Sequence, residues 1–511
     1  YIYILGAAGF LTLIIACINF MNLTTAKSSE RAREIGVRKT LGALRSQLSM
    51  QFLTESVVVA LIAIIVSILL VEIALPFFNY ATGLALDIDY QQYLLVLAAL
   101  GVIIGISSGA YPALYLSGIQ PHLILKGKLF QTPKGSRLRN GLIILQFAMS
   151  MILISASVVI FIQLRFLKNK NLGFGKEEII VIPVKNDDGF DKLDILRNEL
   201  LKIEGVISVS ASSNIPGRQF NQHPIAPAES PEDDIGSSEA LVDYDFFNTL
   251  NMELADGRFF LRDNPADTAG TFIINEAGAR QLYGDKQAIG QELIWNRDGN
   301  MIRGTIIGVV KDFHFQSLHE PIRPLLFALS ENEYNHILVK VNTSGFAKKI
   351  AAIGKAYQVT EPYFAFEFAF LEDTLNSQYA AEERTGSLLG TFSLIAISIA
   401  CFGLFGMSLL TFQHKIKELS VRKVLGASPL SLLTLLLGNF TKLILLAIVI
   451  ATPIVWWIMN DWLNNFSYQI TISPLIFIFS GIGLIVVAWL TLVFFTVKAS
   501  QLNPADTLKN E

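Results

Sequence analysis

Charge is scarce in this chain, and where it is missing says more than its sum. Asp, Glu, Lys and Arg make up 16% of the 511 residues, against about 25% in an ordinary soluble protein. That shortfall excludes a simple soluble globule. The net charge of −3 adds nothing, because only its distribution is informative. Cysteine is scarcer still: Cys17 and Cys401 are the only two, so no disulfide framework holds the chain. Each sits past the middle of an apolar run, in LIIACINF and ISIACFGL, where a free thiol packs as a small hydrophobe. Cys and His show no metal-ligand spacing, and neither a metal nor a cofactor is expected. No G-x-x-x-x-G-K-[ST] occurs, so the sequence offers no P-loop with which to hydrolyse ATP. NLGFGKEE (171–178) puts Gly173 and Gly175 before a strand and is no phosphate loop. The apolar runs are also nearly free of ionisable residues. Glu55 and Glu72 sit at run ends, and Asn19, Asn22 and Gln146 are uncharged. A conduit through lipid usually shows such groups because they are expensive there. Their lack disfavours a secondary transporter or an ion channel. There is no charged leader, and residue 1 is Tyr inside an apolar run, so the chain reads as an N-terminally truncated fragment.

What the chain does have is hydrophobic residues, 52% of the total, with a mean hydropathy of +0.48. They gather in seven blocks at about 3–25, 52–72, 93–116, 141–164, 387–411, 432–458 and 474–497. Each is long enough for a membrane helix, which needs about 20 residues. Lys and Arg favour the cytoplasmic side of short loops. Lys27, Arg31, Arg33, Arg38, Lys39 and Arg45 fall in 26–51, and Lys126, Lys128, Lys134, Arg137 and Arg139 in 117–140. Lys415, Lys417, Arg422 and Lys423 fall in 412–431, whereas 73–92 and 459–473 have none. Seven alternating crossings agree with every loop. They place the polar region, about 170–380, outside the cell, and Trp456, Trp457 and Trp462 at the outer end of span six.

The chain repeats itself. EIGVRKTLGA (34–43) returns as ELSVRKVLGA (418–427), and IACINFMNL (15–23) aligns with IACFGLFGM (399–407), both 384 positions on. SGIQPHLILKG (117–127) resembles SQLNPADTLKN (500–510), with Pro121 matching Pro504 and Lys126 matching Lys509. A repeat of that length makes 128–511 one whole copy and 1–127 the last three spans of another, both in one orientation. An equal first copy would put one more span and a second outer domain before Tyr1. Within the repeated segment, Ser28 or Ser29 can cap a helix. Glu34 precedes Arg38 by four residues, the favourable order, as Glu418 precedes Arg422. Ile35, Val37 and Leu41, with Leu419, Val421 and Leu425, offer apolar positions to a partner surface. Gly42 and Gly426 suit a C-terminal turn. A basic anchor at the lipid headgroups would explain the cations alone. It does not explain acid, apolar, base and Gly recurring at one spacing.

In the outer region, KEEIIVIPV (176–184), VISVSAS (206–212), TIIGVVKDF (305–313) and HILVKVN (336–342) read as strands. FDKLDILRNELLKIEG (190–205) and FAKKIAAIGKAYQ (346–358) read as helices. FLEDTLNSQYAAEERTGSLLG (370–390) is polar, helix-prone and runs into span five. Ser212, Ser213 and Asn214 look like turn formers. His314 and His319 lie near Asp312 and Glu320, but at no zinc spacing.

REIGVRKTLGA and KELSVRKVLGA resemble the signature of the FtsX-like permease family, which includes MacB- and LolC-type ABC transporter permeases. ALVDYDFFNTLNMELADGRFF (240–260), INEAGARQLYGDKQAIGQEL (274–293) and IIGVVKDFHFQSLHEPIRPLLF (306–327) resemble that family's periplasmic domain. The resemblance covers essentially the whole chain. It implies an α-helical membrane protein, seven-spanning here, with an inserted α+β extracytoplasmic domain of two subdomains, the second formed by about 215–330. Its parts would be 1–127 (last three spans of a first unit), 128–168 (first span of the second, with its cytoplasmic lead-in), 169–385 (the MacB-like domain) and 386–511 (last three spans). It implies a bacterial inner-membrane permease subunit that works with a cytoplasmic ABC ATPase dimer, with no ATPase of its own. The resemblance also makes a periplasmic adaptor or outer-membrane duct a candidate further partner, and no nucleic acid is expected. The contacts carried over are Glu34, Ile35, Val37, Arg38, Lys39, Gly42, Glu418, Leu419, Val421, Arg422, Lys423 and Gly426. Ser420 stands where the other copy has Gly36, which leaves the two contacts open to inequality. Mechanotransmission for export or extraction is the first function implied. A signalling or scaffold role regulating a cell-envelope hydrolase is the second. The substrate (macrolide, peptide, lipoprotein or lipid) is not readable.

The charge asymmetry of the loops predicts a labelling pattern. In a Cys-less background, Asp89→Cys and Ser230→Cys should react with an impermeant thiol reagent in intact spheroplasts, and Ser428→Cys should not. Labelling at 428 with protection at 230 would invert the assignment.

Overall fold

A long apolar segment in lipid can satisfy its backbone only as a helix or as part of a closed barrel, and the apolar runs of this chain are helices. The computed structural model describes residues 2–27, 32–82, 85–118, 133–175, 178–185, 192–268, 270–330, 333–342, 344–424 and 429–500. Pro121, Lys126, Pro504, Lys509, Ser28, Ser29, Leu425, Gly426 and Ser428 lie outside them. The first helices are α1 (Ile2–Lys27), α2 (Ala32–Thr40), α3 (Arg45–Thr82), α4 (Tyr90–Gly118) and α5 (Pro133–Asn169). The next are α6 (Leu193–Leu201), α7 (Phe246–Thr249), α8 (Glu276–Tyr283), α9 (Phe346–Thr360) and α10 (Leu371–Ser377). The last are α11 (Ala380–Val424), α12 (Pro429–Leu463) and α13 (Pro474–Ser500). Among the described residues seven helices are long and apolar enough to cross a membrane, within α1, α3, α4, α5, α11, α12 and α13. The chain forms two units. One comprises Tyr1–Ile162, Glu382–Trp462 and Thr471–Glu511; the other comprises Gln163–Ala381 and Leu463–Ile470.

In the first unit, small residues set the closest helix pairs. Lipid gives apolar helices no hydrophobic reason to associate, so close backbone approach must supply the packing. Gly101, Gly105 and Gly109 recur every fourth residue on α4 and face α3. A Cβ on Gly105 would stand 2.5 Å from Val57 Cα, and one on Gly109 2.5 Å from Ser56 Oγ. The matching face of α13 carries Leu484, Ala488 and Leu492, all buried. The copies therefore bury one face with different residue sizes. Helices α1 and α11 are equivalents in the repeat, and they touch. Asn19 donates through Nδ2 to Ile399 O at 3.3 Å, and its Oδ1 fills the space a Cβ on Gly403 would need. Leu23 does the same at Gly406.

The second unit is an α+β domain. Its strands are β1 (Ile179–Pro183), β2 (Val206–Ser212), β3 (Asn221–Pro227), β4 (Ile235–Val242), β5 (Leu254–Gly257) and β6 (Thr271–Asn275). They continue as β7 (Glu292–Arg297), β8 (Asn300–Val310), β9 (Leu325–Leu329), β10 (His336–Val341) and β11 (Ala369–Phe370). The neighbours β11-β1-β10-β2 are all antiparallel. With α6 between β1 and β2, and α9 between β10 and β11, this is the split β-α-β order of a ferredoxin-like subdomain. Strand β1 is buried on both faces by its period of two. Ile180 and Ile182 join Leu196, Leu200, Ile353 and Tyr357, while Ile179 and Val181 join the phenylalanine-rich cluster of Phe246, Phe247, Phe313 and Phe327.

The rest is inserted between β2 and β10, and its pairings close. The order β4-β3-β7-β8-β6-β9 returns to β4 through the parallel β4–β9 pair. Closure removes free edges, the usual liability of a sheet. All six strands contribute to one cluster that includes Ile225, Leu241, Phe272, Trp295, Ile306 and Leu326, and Ala279 and Leu282 of α8 pack against it. The two subdomains are thus real, and one of them is a closed barrel that strand spelling did not reveal. One expectation needs correction. Residues 370–390 are not a single helix, because α10 ends at Ser377 and α11 begins at Ala380. Buried Tyr379 breaks the run: its Oη accepts the Leu318 N–H at 2.9 Å, and its own N–H donates to Asn376 O at 3.0 Å.

The loop Leu463–Ile470 belongs to this unit. Gln163 clamps it, donating to Tyr468 O at 2.8 Å and accepting from the Ile470 N–H at 3.0 Å. Phe466 stacks on the His319 ring at 4.3 Å, and Tyr468 meets the His314 ring edge-on at 4.7 Å. Burial, then Lys170, lowers the His314 pKa to about 4. These two histidines serve as packing surfaces.

The two sheets are joined through a short β2–β4 pairing at Ser212↔Val242, over the phenylalanine-rich cluster that both subdomains share, and a buried ion pair sits beside it. Arg197 of α6 hydrogen-bonds Asp243 and, at 2.7 Å, Asp194. Ser210 Oγ donates to Asp243 at 2.6 Å. Burial outweighs Arg197 and Ser210 and lifts the Asp243 pKa to about 6. An acid with a raised folded pKa holds its proton more tightly when folded. It therefore favours the fold below its unfolded value near 3.8, and that advantage is lost as pH rises through 6. Arg197→Met would leave a buried carboxylate unpaired, at a cost of about 3–5 kcal/mol. Hydrogen exchange of the β2 and β4 amides should speed up at least about a hundredfold at pH 7. In the unmodified chain the protection, corrected for intrinsic rate, should fall between pH 4.5 and 7, and Asp243→Asn should flatten that slope. Protection that rises with pH would contradict the assignment.

Candidate coupling site

The segment Glu34–Ala43 of the first copy is built by short-range rules. In α2, Arg38 pairs with Glu34 at 2.6 Å, one turn back, with both side chains about half exposed. Arg38 Nη1 also donates to Gln51 Oε1 at 3.2 Å, and Gln51 Nε2 donates to Glu55 Oε1 at 3.3 Å. Exposed pairs of this kind contribute little to stability, but they hold the guanidinium in one place. The helix ends in a paired-hydrogen-bond stop. The Ala43 N–H donates to Arg38 O at 3.0 Å and the Gly42 N–H to Lys39 O at 3.1 Å. Gly42 takes φ +95°, a conformation that glycine adopts without strain. The next helix starts at once, with Gln47 Oε1 accepting the Leu44 N–H at 3.0 Å, one half of a capping box. Burial, then Arg45, holds the Lys39 ammonium below its ordinary pKa.

The apolar residues do not all face outward as expected. Ile35 is 4% exposed and packs on Leu48 and Phe52. The Gly42 turn returns α3 over α2, and Ile35 is the position it covers. Val37, Leu41 and Leu44 are 51%, 82% and 63% exposed. They form an apolar edge beside Arg38. The sequence reading missed Leu44, Gln51, Leu48 and Phe52. The spacing of Leu44 and Gln47 signals the helix start that fixes Leu44.

The motif of the second copy is part of a long helix. Glu418, Leu419, Val421, Arg422 and Lys423 fall in the last turns of α11, which runs unbroken from Ala380 through span five to Val424. In the first copy the motif lies on α2, and residues 28–31 between it and α1 are outside the described residues.

Comparison with known proteins agrees with this architecture. Residues 6–121 and 390–504 each match the FtsX-like permease C-terminal family, starting at the same 384-residue offset as the repeat. Residues 148–351 match the MacB-like periplasmic core domain. A macrolide export ATP-binding/permease protein MacB of Neisseria gonorrhoeae is 29% identical over 300 residues, covering 54% of this chain and 44% of that protein. An uncharacterized ABC transporter permease YknZ of Bacillus subtilis is 46% identical over 65 residues, 13% of this chain and 16% of that one. The periplasmic region of MacB from Actinobacillus actinomycetemcomitans aligns over 41% of this chain and 96% of its own, at 15% identity and a TM-score of 0.30. The matched stretches span less than half the length of the MacB relatives.

Proposed function

The chain belongs to the MacB-type ABC transporter permeases of the FtsX-like family, and from that premise we propose that it couples ATP hydrolysis by a separate ABC ATPase to movement of its periplasmic domain. The observation that carries this reading is the edge of α2. Val37, Leu41 and Leu44 stand exposed around an arginine held by Glu34 and Gln51, on the side that the loop charges make cytoplasmic. A free apolar edge with a positioned cation is costly in water and useful at an interface core. The repeat supplies a second copy of the sequence motif at 418–426, so one chain would carry both ATPase contacts. Helix α11 supports the relay: it carries the cytoplasmic motif and Ala380, at the domain's end, on one continuous rod. Helix α5 likewise crosses from Pro133 to Asn169 without a break. The scarcity of ionisable groups in the spans supports displacement of the domain over a lipid-buried conduit. Export or extraction of a periplasmic substrate is the activity this would drive.

The test is a charge reversal at both contacts. The Glu34–Arg38 helix pair is worth only about 0.2–0.5 kcal/mol, so Arg38→Glu with Arg422→Glu should leave membrane levels normal. At an interface, a charge left without its partner costs about 2–5 kcal/mol. The double variant should lose co-purification of the ABC ATPase, identified by its nucleotide-binding peptides in mass spectrometry, and each single variant should lose less. Full recovery of the ATPase with the double variant, at equal permease level, would return these arginines to the role of headgroup anchors.

A further inference from the structure

The two copies agree in one part of the coupling segment and differ in another. At the offset of 384, Ile35, Leu48 and Phe52 correspond to Leu419, Leu432 and Leu436. In the first copy these three side chains pack α2 against the start of α3, and the second copy spells the same positions with apolar residues. Glu34 and Arg38 return unchanged as Glu418 and Arg422. Three other residues do not return in kind. Gln51 corresponds to Leu435, Glu55 to Asn439 and Leu44 to Ser428. The residues that pack the segment are kept in type, and those that brace or flank its arginine are not.

The brace of the first copy holds the Arg38 guanidinium from two helices. Glu34, one turn back on α2, meets Nη2 at 2.6 Å. Gln51 on α3 accepts from Nη1 at 3.2 Å, and Gln51 is itself steadied by donating to Glu55 Oε1 at 3.3 Å. A guanidinium anchored at two nitrogens from two directions has its plane set as well as its position. All four side chains are exposed. Polar contacts of that kind add little to folding, so what they supply is the placement of the cation. Leucine has no hydrogen-bonding group in its side chain, and Leu435 cannot make the contact that Gln51 makes. Ordering a long side chain on binding lowers affinity, and a side chain ordered beforehand avoids that loss. The apolar edge also differs, since Leu44 is 63% exposed beside Val37 and Leu41 and a serine stands at its counterpart.

We propose that the two ATPase contacts of this chain are unequal, that α2 carries the larger share of the affinity because its arginine is placed before the partner arrives, and that Gln51 is the positioning residue. The segment 418–426 is the weaker contact, whose arginine is placed on binding. This inference rests on the coupling role proposed above for both segments and gives it a rank and a cause. The partner is the same ABC ATPase at both. Gln51 acts through Arg38 and does not itself touch the partner.

The experiment titrates the ATPase that co-purifies with the unmodified chain onto the full chain in nanodiscs and reads apparent affinity. Membrane yield and thermal melting of each variant serve as folding controls. Arg38→Ala should weaken binding more than Arg422→Ala does. Gln51→Leu, which gives the first copy the residue of the second, should weaken binding about two- to tenfold, the cost of ordering one long side chain, with melting unchanged. In an Arg38→Ala background Gln51→Leu should add nothing, because a positioning residue has no effect without the group it positions. Equal losses from Arg38→Ala and Arg422→Ala would overturn the inequality and leave the coupling role standing. An undiminished effect of Gln51→Leu in the Arg38→Ala background would make Gln51 a contact residue and overturn its positioning role. Unaltered binding by Arg38→Glu with Arg422→Glu would remove the coupling role itself, and this inference with it.

Discussion

Every backbone group within a bilayer must find its partner within the protein, and the design of this chain follows from that requirement. Each apolar run meets it as a helix. Helices are stiff, and several here extend well beyond the bilayer they cross. The 45 residues of α11 and the 37 of α5 exceed the 20 or so needed to span. The surplus continues as helix, still hydrogen-bonded along its length. The repeated motif of the second copy lies on such a surplus, and so does Ala380 at the other end.

The repeat shows how two copies of one plan diverge under that constraint. Asn19 and Gly403 occupy equivalent positions, yet one fills the space the other leaves. A pair of identical residues there would be either two amides in collision or a void between two glycines. The same divergence separates the glycine ladder of α4 from the Leu-Ala-Leu face of α13. The halves of this chain are complementary partners with unequal parts.

Much of this was legible in the sequence because its signals are local. Span length and loop charge act within a few tens of residues. Glu34, Arg38 and Gly42 are fixed by helix spacing and by the conformation that only glycine adopts freely. The ferredoxin-like half could be outlined from strand and helix patterns around 176–212 and 336–358. The barrel could not, because its closing pair joins β4 and β9 in parallel, and nothing near either strand specifies the other. Ile35 was misread for the same reason: its burial depends on Leu48 and Phe52, which arrive only after the Gly42 turn. Tyr379 broke an expected helix through a hydrogen bond to Leu318, sixty-one residues away. The polar clamp of Gln163 on the 463–470 loop lies beyond any local pattern, since its partners are some 305 residues apart.

The central claim is that the exposed edge of α2 is where an ATP-driven partner docks, and photo-cross-linking from that edge tests it most directly. A benzoylphenylalanine placed at Leu41 in the full chain, irradiated in native membranes, should yield an adduct containing a nucleotide-binding peptide of an ABC ATPase. The same probe at Leu95, exposed on the lipid-spanning part of α4, should not. An ATPase that co-purifies with the permease but cross-links from neither Leu41 nor Leu44 would contradict the account.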